Sequence, residues 1–117
     1  MDDLLKPVKA LGDESRVKML WILEHRELCS CEIQEFLGLA QSTVSRHLQL
    51  LEDAGFVVSE KVGLWKNYRF NPNPPPLVQG LLSVLRLAAA ADPEAQRARA
   101  RASTINREIL CAGRSAA

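Results

Sequence analysis

A mainly α-helical chain with one small β-hairpin, in the element order of a winged helix-turn-helix, is the fold class that three features of the sequence predict. Apolar residues recur at helical spacing in three short segments before residue 55. The second and third segments are joined by "GLAQ", the short turn that this motif needs. The pattern then switches to two β-prone runs on either side of Gly63.

Each element has a local cause. Asp13 can cap the first turn of a helix, and Glu14 suits its positive end. Val17, Leu20, Trp21 and Leu23 carry the apolar pattern through about Arg26. A second, short helix is expected from about Cys31 to Leu37, where Gly38 stops it. The third runs from Gln41 to Ala54, with Val44, Leu48 and Leu51 at i, i+4, i+7 and Gly55 behind it. "FVVSEKVG" and "LWKNYRF" then form the hairpin. Alternation puts Trp65, Asn67 and Arg69 on one face, and Leu64, Lys66, Tyr68 and Phe70 on the other. Only one of these faces is expected to pack, which leaves either Trp65 or Tyr68 at the edge. "NPNPPP" cannot continue a ladder. Leu77, Leu81, Leu85 and Ala88 mark the next helix, Asp92-Pro93 breaks it, and Glu94 to about Leu110 forms the last.

The 117 residues suffice for one domain, and the 47% that are hydrophobic can build a modest core. No apolar run approaches the roughly 20 residues that span a bilayer. The acidic start "MDDLLK" is unlike a secretory leader. A cytoplasmic protein without a membrane partner is expected. Three cysteines in that compartment favour free, reactive or metal-binding thiols over a disulfide scaffold. Net charge is +1, with an acidic excess in residues 1–40 and a basic excess after residue 70. Arg97, Arg99, Arg101 and Arg107 read as solvated surface or as a basic helix face. The sequence lacks a phosphate-cradling glycine loop, a zinc-hydrolase pattern and a paired carboxylate–histidine set, so an enzyme is not expected.

The polar face of the third helix points to nucleic acid. Ser42, Ser45, Arg46 and Gln49 lie at i, i+3, i+4, i+7 and share one stripe. Gln41 opens the helix, and Thr43 and His47 flank the stripe. All of these side chains can donate hydrogen bonds, and no carboxylate interrupts them before Asp53. That composition suits a major groove, where Arg46 could take a guanine edge for about 1–3 kcal/mol of discrimination. Ser42, Thr43 and Ser45 could hold phosphates or base edges. Serine and threonine also weaken helix propensity, a cost that an ordinary surface helix has no need to bear. Lys61, Lys66 and Arg69 of the hairpin could reach phosphates beside the groove.

"KALGDESRVKMLWIL", "ELCSCEI", "QSTVSRHLQLLEDAGFV" and "WKNYRF", in that order over about residues 8–70, make the chain similar to the ArsR/SmtB family of metal-responsive transcriptional repressors. The resemblance implies a homodimer that binds a roughly two-fold double-stranded operator and leaves it when an effector binds. It implies dimerisation helices within residues 1–12 and 77–110, with residues 13–70 as DNA-binding core and wing. The family often has Ser or Thr where this chain has Ala40, which moves the expected start of the third helix towards a Ser42 cap.

"ELCSCEI" puts Cys29 and Cys31 one residue apart. Ser30 is expected to cap the short helix, with Cys29 the last extended residue and Cys31 the first helical one. Within a continuous helix i and i+2 diverge by about 200°; at an extended-to-helix junction two thiols can converge. A helix N-terminus favours thiolate, and soft sulfur ligands select arsenic(III), antimony(III) or cadmium. Arsenic-sensing members of the resembled family carry a third Cys three residues after the second, where this chain has Gln34. Cys111 is the remaining thiol, a candidate third ligand from within the chain or across the dimer. His25 reads as a helix-end surface residue. Histidine is missing from Leu77 onward, so a zinc site on the dimer helices is not expected. A redox-responsive thiol repressor, and a winged-helix regulator without a metal effector, stay open as alternatives. Ligation of Cys29 and Cys31 is expected to distort the start of the short helix and disturb the reader beside it.

Overall fold

The computed structural model describes residues 1–24 and 26–102. Cys111, His25, Arg107 and the end of the expected last helix lie outside them. The elements are α1 (Asp2–Ala10), α2 (Glu14–Leu23), β1 (Leu28–Cys29), α3 (Ser30–Leu37), α4 (Gln41–Asp53), β2 (Val57–Val62), β3 (Trp65–Phe70), α5 (Pro76–Ala91) and α6 (Pro93–Ala102). This is the winged helix-turn-helix order that the sequence predicts.

Asp13 caps α2 as expected, its carboxylate accepting from the Arg16 backbone N–H at 3.2 Å. Burial alone would raise its pKa. The Arg16 N–H bond and the charges of His47 and Arg16 instead hold the carboxyl below its ordinary value. α2 ends at Leu23, short of Arg26, because the chain must extend to enter β1 at Leu28. α3 begins at Ser30, one residue earlier than expected, and Cys29, not Ser30, is its N-cap. Gly38 ends α3 in the left-handed region, at φ +67°, its N–H bonded to Gln34 O at 2.8 Å. α4 starts at Gln41 with Ala40 extended ahead of it, so the expected Ser42 cap is not formed.

The sheet has one strand more than the sequence suggests. β1 pairs antiparallel with β3, giving the order β1-β3-β2. Two residues are too few for alternation to reveal. Gly63 and Leu64 form the hairpin turn, and Gly63 takes φ +60° as the first of the two.

The core gathers Met19, Leu20 and Leu23 of α2, Leu28 of β1 and Ile33 of α3. Val44, Leu48 and Leu51 of α4, Phe56, Val57, Tyr68, and Val78 and Leu82 of α5 complete it. Each large apolar side chain so buried contributes about 1.5–3 kcal/mol. Trp21 packs separately with Ala89 and Ala95, seating the α5–α6 corner on α2. Glu24 binds Arg86 of α5 and Arg99 of α6. Arg101 donates to Phe36 O at 3.1 Å and lies over the Phe36 ring. Two of the C-terminal arginines therefore tie α6 to the domain. Among the described residues no helix is long and apolar enough to cross a membrane.

Candidate nucleic-acid interface and thiol pair

α4 turns Val44, His47, Leu48 and Leu51 inward. Gln41, Ser42, Ser45, Arg46 and Gln49 are exposed, and Thr43 is half-buried. The 3.6-residue period thus produces one continuous donor-rich stripe. Gln49 donates to Asp53 at 2.9 Å, which anchors the far end of that stripe. His47 is the exception to the expected set. It is only 9% exposed, and its Nδ1 lies 3.0 Å from Arg16 Nη1. The i+3 position from Val44 carries it to the core side of α4, away from the stripe.

Arg16 is the residue that sequence reasoning missed here. Its Nε donates to Ala10 O at 2.7 Å and its Nη2 to Lys9 O at 3.3 Å. A guanidinium carries donors only, so His47 Nδ1 accepts and its ring proton sits on Nε2. One side chain therefore joins the last turn of α1 to α4. Burial pushes the His47 pKa below its ordinary value; Arg16 and Arg46 add to the shift and Asp13 opposes it. The available signal was an arginine inside the first turn of α2, just behind its Asp13 cap.

In the wing, Lys66 is half-buried with Nζ 5.6 Å from the Tyr68 ring centre. Arg69 pairs with Glu60 at 3.4 Å on the surface, and Lys61 is exposed.

Cys29 and Cys31 lie where strand becomes helix, at 0% and 3% exposure. Glu32, at 1% exposure, fixes the junction. One carboxylate oxygen accepts from the Cys29 backbone N–H at 2.9 Å and the other from Arg26 Nη2 at 2.8 Å. With the Cys29 sulfur facing the Glu32 N–H, this closes a capping box. Trp65 packs against the cluster that the two cysteines form. Both hairpin faces therefore pack, against expectation, while of the two aromatics Trp65 is the one left half-buried. Tyr68 enters the main core, while the β1–α3 junction covers the Trp65 and Asn67 face. Among the described residues no three His, Cys, Asp or Glu side chains form a metal-holding group; those residues supply two thiols.

Residues 13–59, which hold α4 and the thiol pair, match the family described as bacterial regulatory protein, arsR family. The arsenic resistance transcriptional regulator ArsR1 of Pseudomonas putida is 38% identical over 86 residues, covering 70% of this chain and 67% of that protein. The chain belongs to the ArsR family. The arsenical resistance operon repressor of Escherichia coli is 40% identical over 68 residues, or 57% of this chain and 58% of that one. Among solved structures, the homodimeric winged helix-turn-helix DNA-binding domain Mb0332 of Mycobacterium bovis, a possible ArsR-family transcriptional regulator, is similar with a TM-score of 0.64. It is 25% identical, over 79% of this chain and 82% of that chain. This ArsR-family chain is a winged helix-turn-helix transcriptional repressor, not an enzyme.

Proposed function

We propose that this chain is a cytoplasmic, homodimeric operator-binding repressor released by arsenic(III) or antimony(III) through Cys29, Cys31 and Cys111. The observation that carries this reading is the thiol pair at the start of α3, directly ahead of the reader helix α4. The arsenic-resistance names of the P. putida and E. coli relatives support it. The two buried sulfurs fit a thiophilic ion, and such an ion supplies strong sulfur bonds that draw the thiols together. Cys111 lies outside the described residues and is the proposed third donor.

The dimer is proposed from two apolar surfaces. α1 exposes Leu4, Leu5 and Val8, and α5 exposes Val84 at 60% and Leu87 at 75%. A second copy would cover them, as residues 1–12 and 77–110 acting in dimerisation require. A two-fold axis there would set two α4 helices about 34–36 Å apart for successive major grooves. Gln41, Ser42, Thr43, Ser45, Arg46 and Gln49 would then meet base edges and phosphates, with Lys66 and Arg69 on flanking phosphates. His47 would act from behind, by holding α4 to α2.

Release follows by linkage: an effector that binds the DNA-free form more tightly lowers operator affinity by the same factor. The test is an operator titration with and without arsenite, antimonite and cadmium, on the native chain and on each Cys→Ser variant. Release by arsenite at stoichiometric levels, lost in all three variants, is expected. Equal operator affinity with and without every ion would sink the reading. Release by cadmium alone would reassign the effector, and release by peroxide alone would make the signal redox.

A further inference from the structure

Trp65 occupies a position that the effector reading does not use. It is the first residue of β3, directly behind the Gly63-Leu64 turn and opposite Val62. On the other side of β3, Cys29 pairs with Asn67. Trp65 lies two residues from Asn67 on the same face, which makes it the diagonal neighbour of Cys29. Such neighbours are about 7–8 Å apart, within reach of an aromatic side chain. The half-buried indole packs against the Cys29–Cys31 cluster, whose two members are almost wholly buried.

We infer that Trp65 is the positioning residue that couples ligation of the thiol pair to the wing. The inference rests on the effector reading above. Both cysteines are shut from solvent, and the indole is part of the packing that a ligand must open to reach them. With arsenous acid as ligand, each S–As bond forms as one As–OH bond breaks. The thiol proton leaves with the hydroxide as water, and no oxidation state changes. Trp65 must turn aside to admit the new bonds. Because it begins β3, its displacement shifts the Gly63-Leu64 turn. Lys61 and Lys66, opposite one another across the hairpin, move with it. The wing's phosphate contacts are then lost together with the reader's register.

The full chain has two tryptophans, so Trp21→Phe leaves Trp65 as the sole indole reporter. Arsenite is titrated into the reduced protein while sulfur–arsenic absorbance and indole emission are followed together. Trp65 emission is expected to shift to longer wavelength in step with the absorbance. Trp65→Ala should still bind arsenite by absorbance but need about tenfold more of it to leave the operator. Trp65→Phe should restore most of the response. Absorbance rising while emission stays fixed overturns the inference, as does Trp65→Ala leaving the operator at native arsenite levels. Should Trp65→Ala fail to bind operator at all, the emission titration decides alone. A flat absorbance in the native chain would instead overturn the effector reading, and this inference with it.

Discussion

Arg16 Nη1 and His47 Nδ1 meet at 3.0 Å, and through this contact helix α4 is held to the last turn of α1. The guanidinium bonds two α1 carbonyls with its other nitrogens, so removing it frees three acceptors at once. Arg16→Ala is expected to lower folding stability by about 1–3 kcal/mol. Urea denaturation measures that loss. Operator affinity should fall as well, although Arg16 lies off the donor stripe.

The same pair sets a pH dependence. His47 has its pKa below the ordinary 6.5 in the fold, because burial and the neighbouring arginines disfavour the cation. Above that value the ring is neutral in both folded and unfolded chains, and its contribution is complete. As pH falls below 6.5 the unfolded chain takes up the proton first, so stability declines until the folded pKa is passed. Midpoints measured across this range should fall on acidification, and less steeply in His47→Gln. Equal slopes for the two proteins would remove His47 as the cause.

Glu32 holds the strand-to-helix junction from inside. Glu32→Ala leaves the buried Cys29 N–H without its acceptor and Arg26 without its carboxylate, at an expected cost of about 1–3 kcal/mol. Glu32→Gln keeps an acceptor oxygen and should lose less. Paired denaturation curves, with a reduced and otherwise native chain as reference, test the order.

Arg46→Ala should weaken operator binding by about 1–3 kcal/mol and relax preference at the base it reads. Arg69→Ala should weaken all sequences alike and make the salt dependence shallower. Gel shifts at several salt concentrations separate the two behaviours.

Leu87→Glu places a charge in the exposed apolar face of α5. It should shift the chain towards monomer in sedimentation without unfolding it, since Leu87 is 75% exposed. Operator binding should drop in parallel, because one reader helix alone makes half the contacts.

The helix order, the hairpin, the Asp13 cap and the donor stripe were legible because each rests on local chemistry. Period 3.6 named Val44, Leu48 and Leu51 as core, and β-prone runs around Gly63 located the wing. His47 was misplaced because a polar side chain at the edge of the apolar arc can face either way. Only its partner Arg16, 31 residues distant in sequence, decides. The junction was harder. Two residues of β1 leave no pattern, and Ser30 is a better cap by type than Cys29. Glu32 reverses that preference by bonding the Cys29 N–H. The double burial of β3 was invisible for a related reason: its second cover comes from the cysteine segment.

Because β1 is only Leu28 and Cys29, the outer edge of β3 is sealed by a very short length of chain. A bulky thiol-blocking reagent on Cys29 cannot be accommodated at 0% exposure without lifting that seal. The bare N–H and C=O groups of β3 would then be open to a strand from another molecule. Alkylation under conditions that open this junction is therefore expected to make the protein aggregate, whereas a soluble reductant should preserve it.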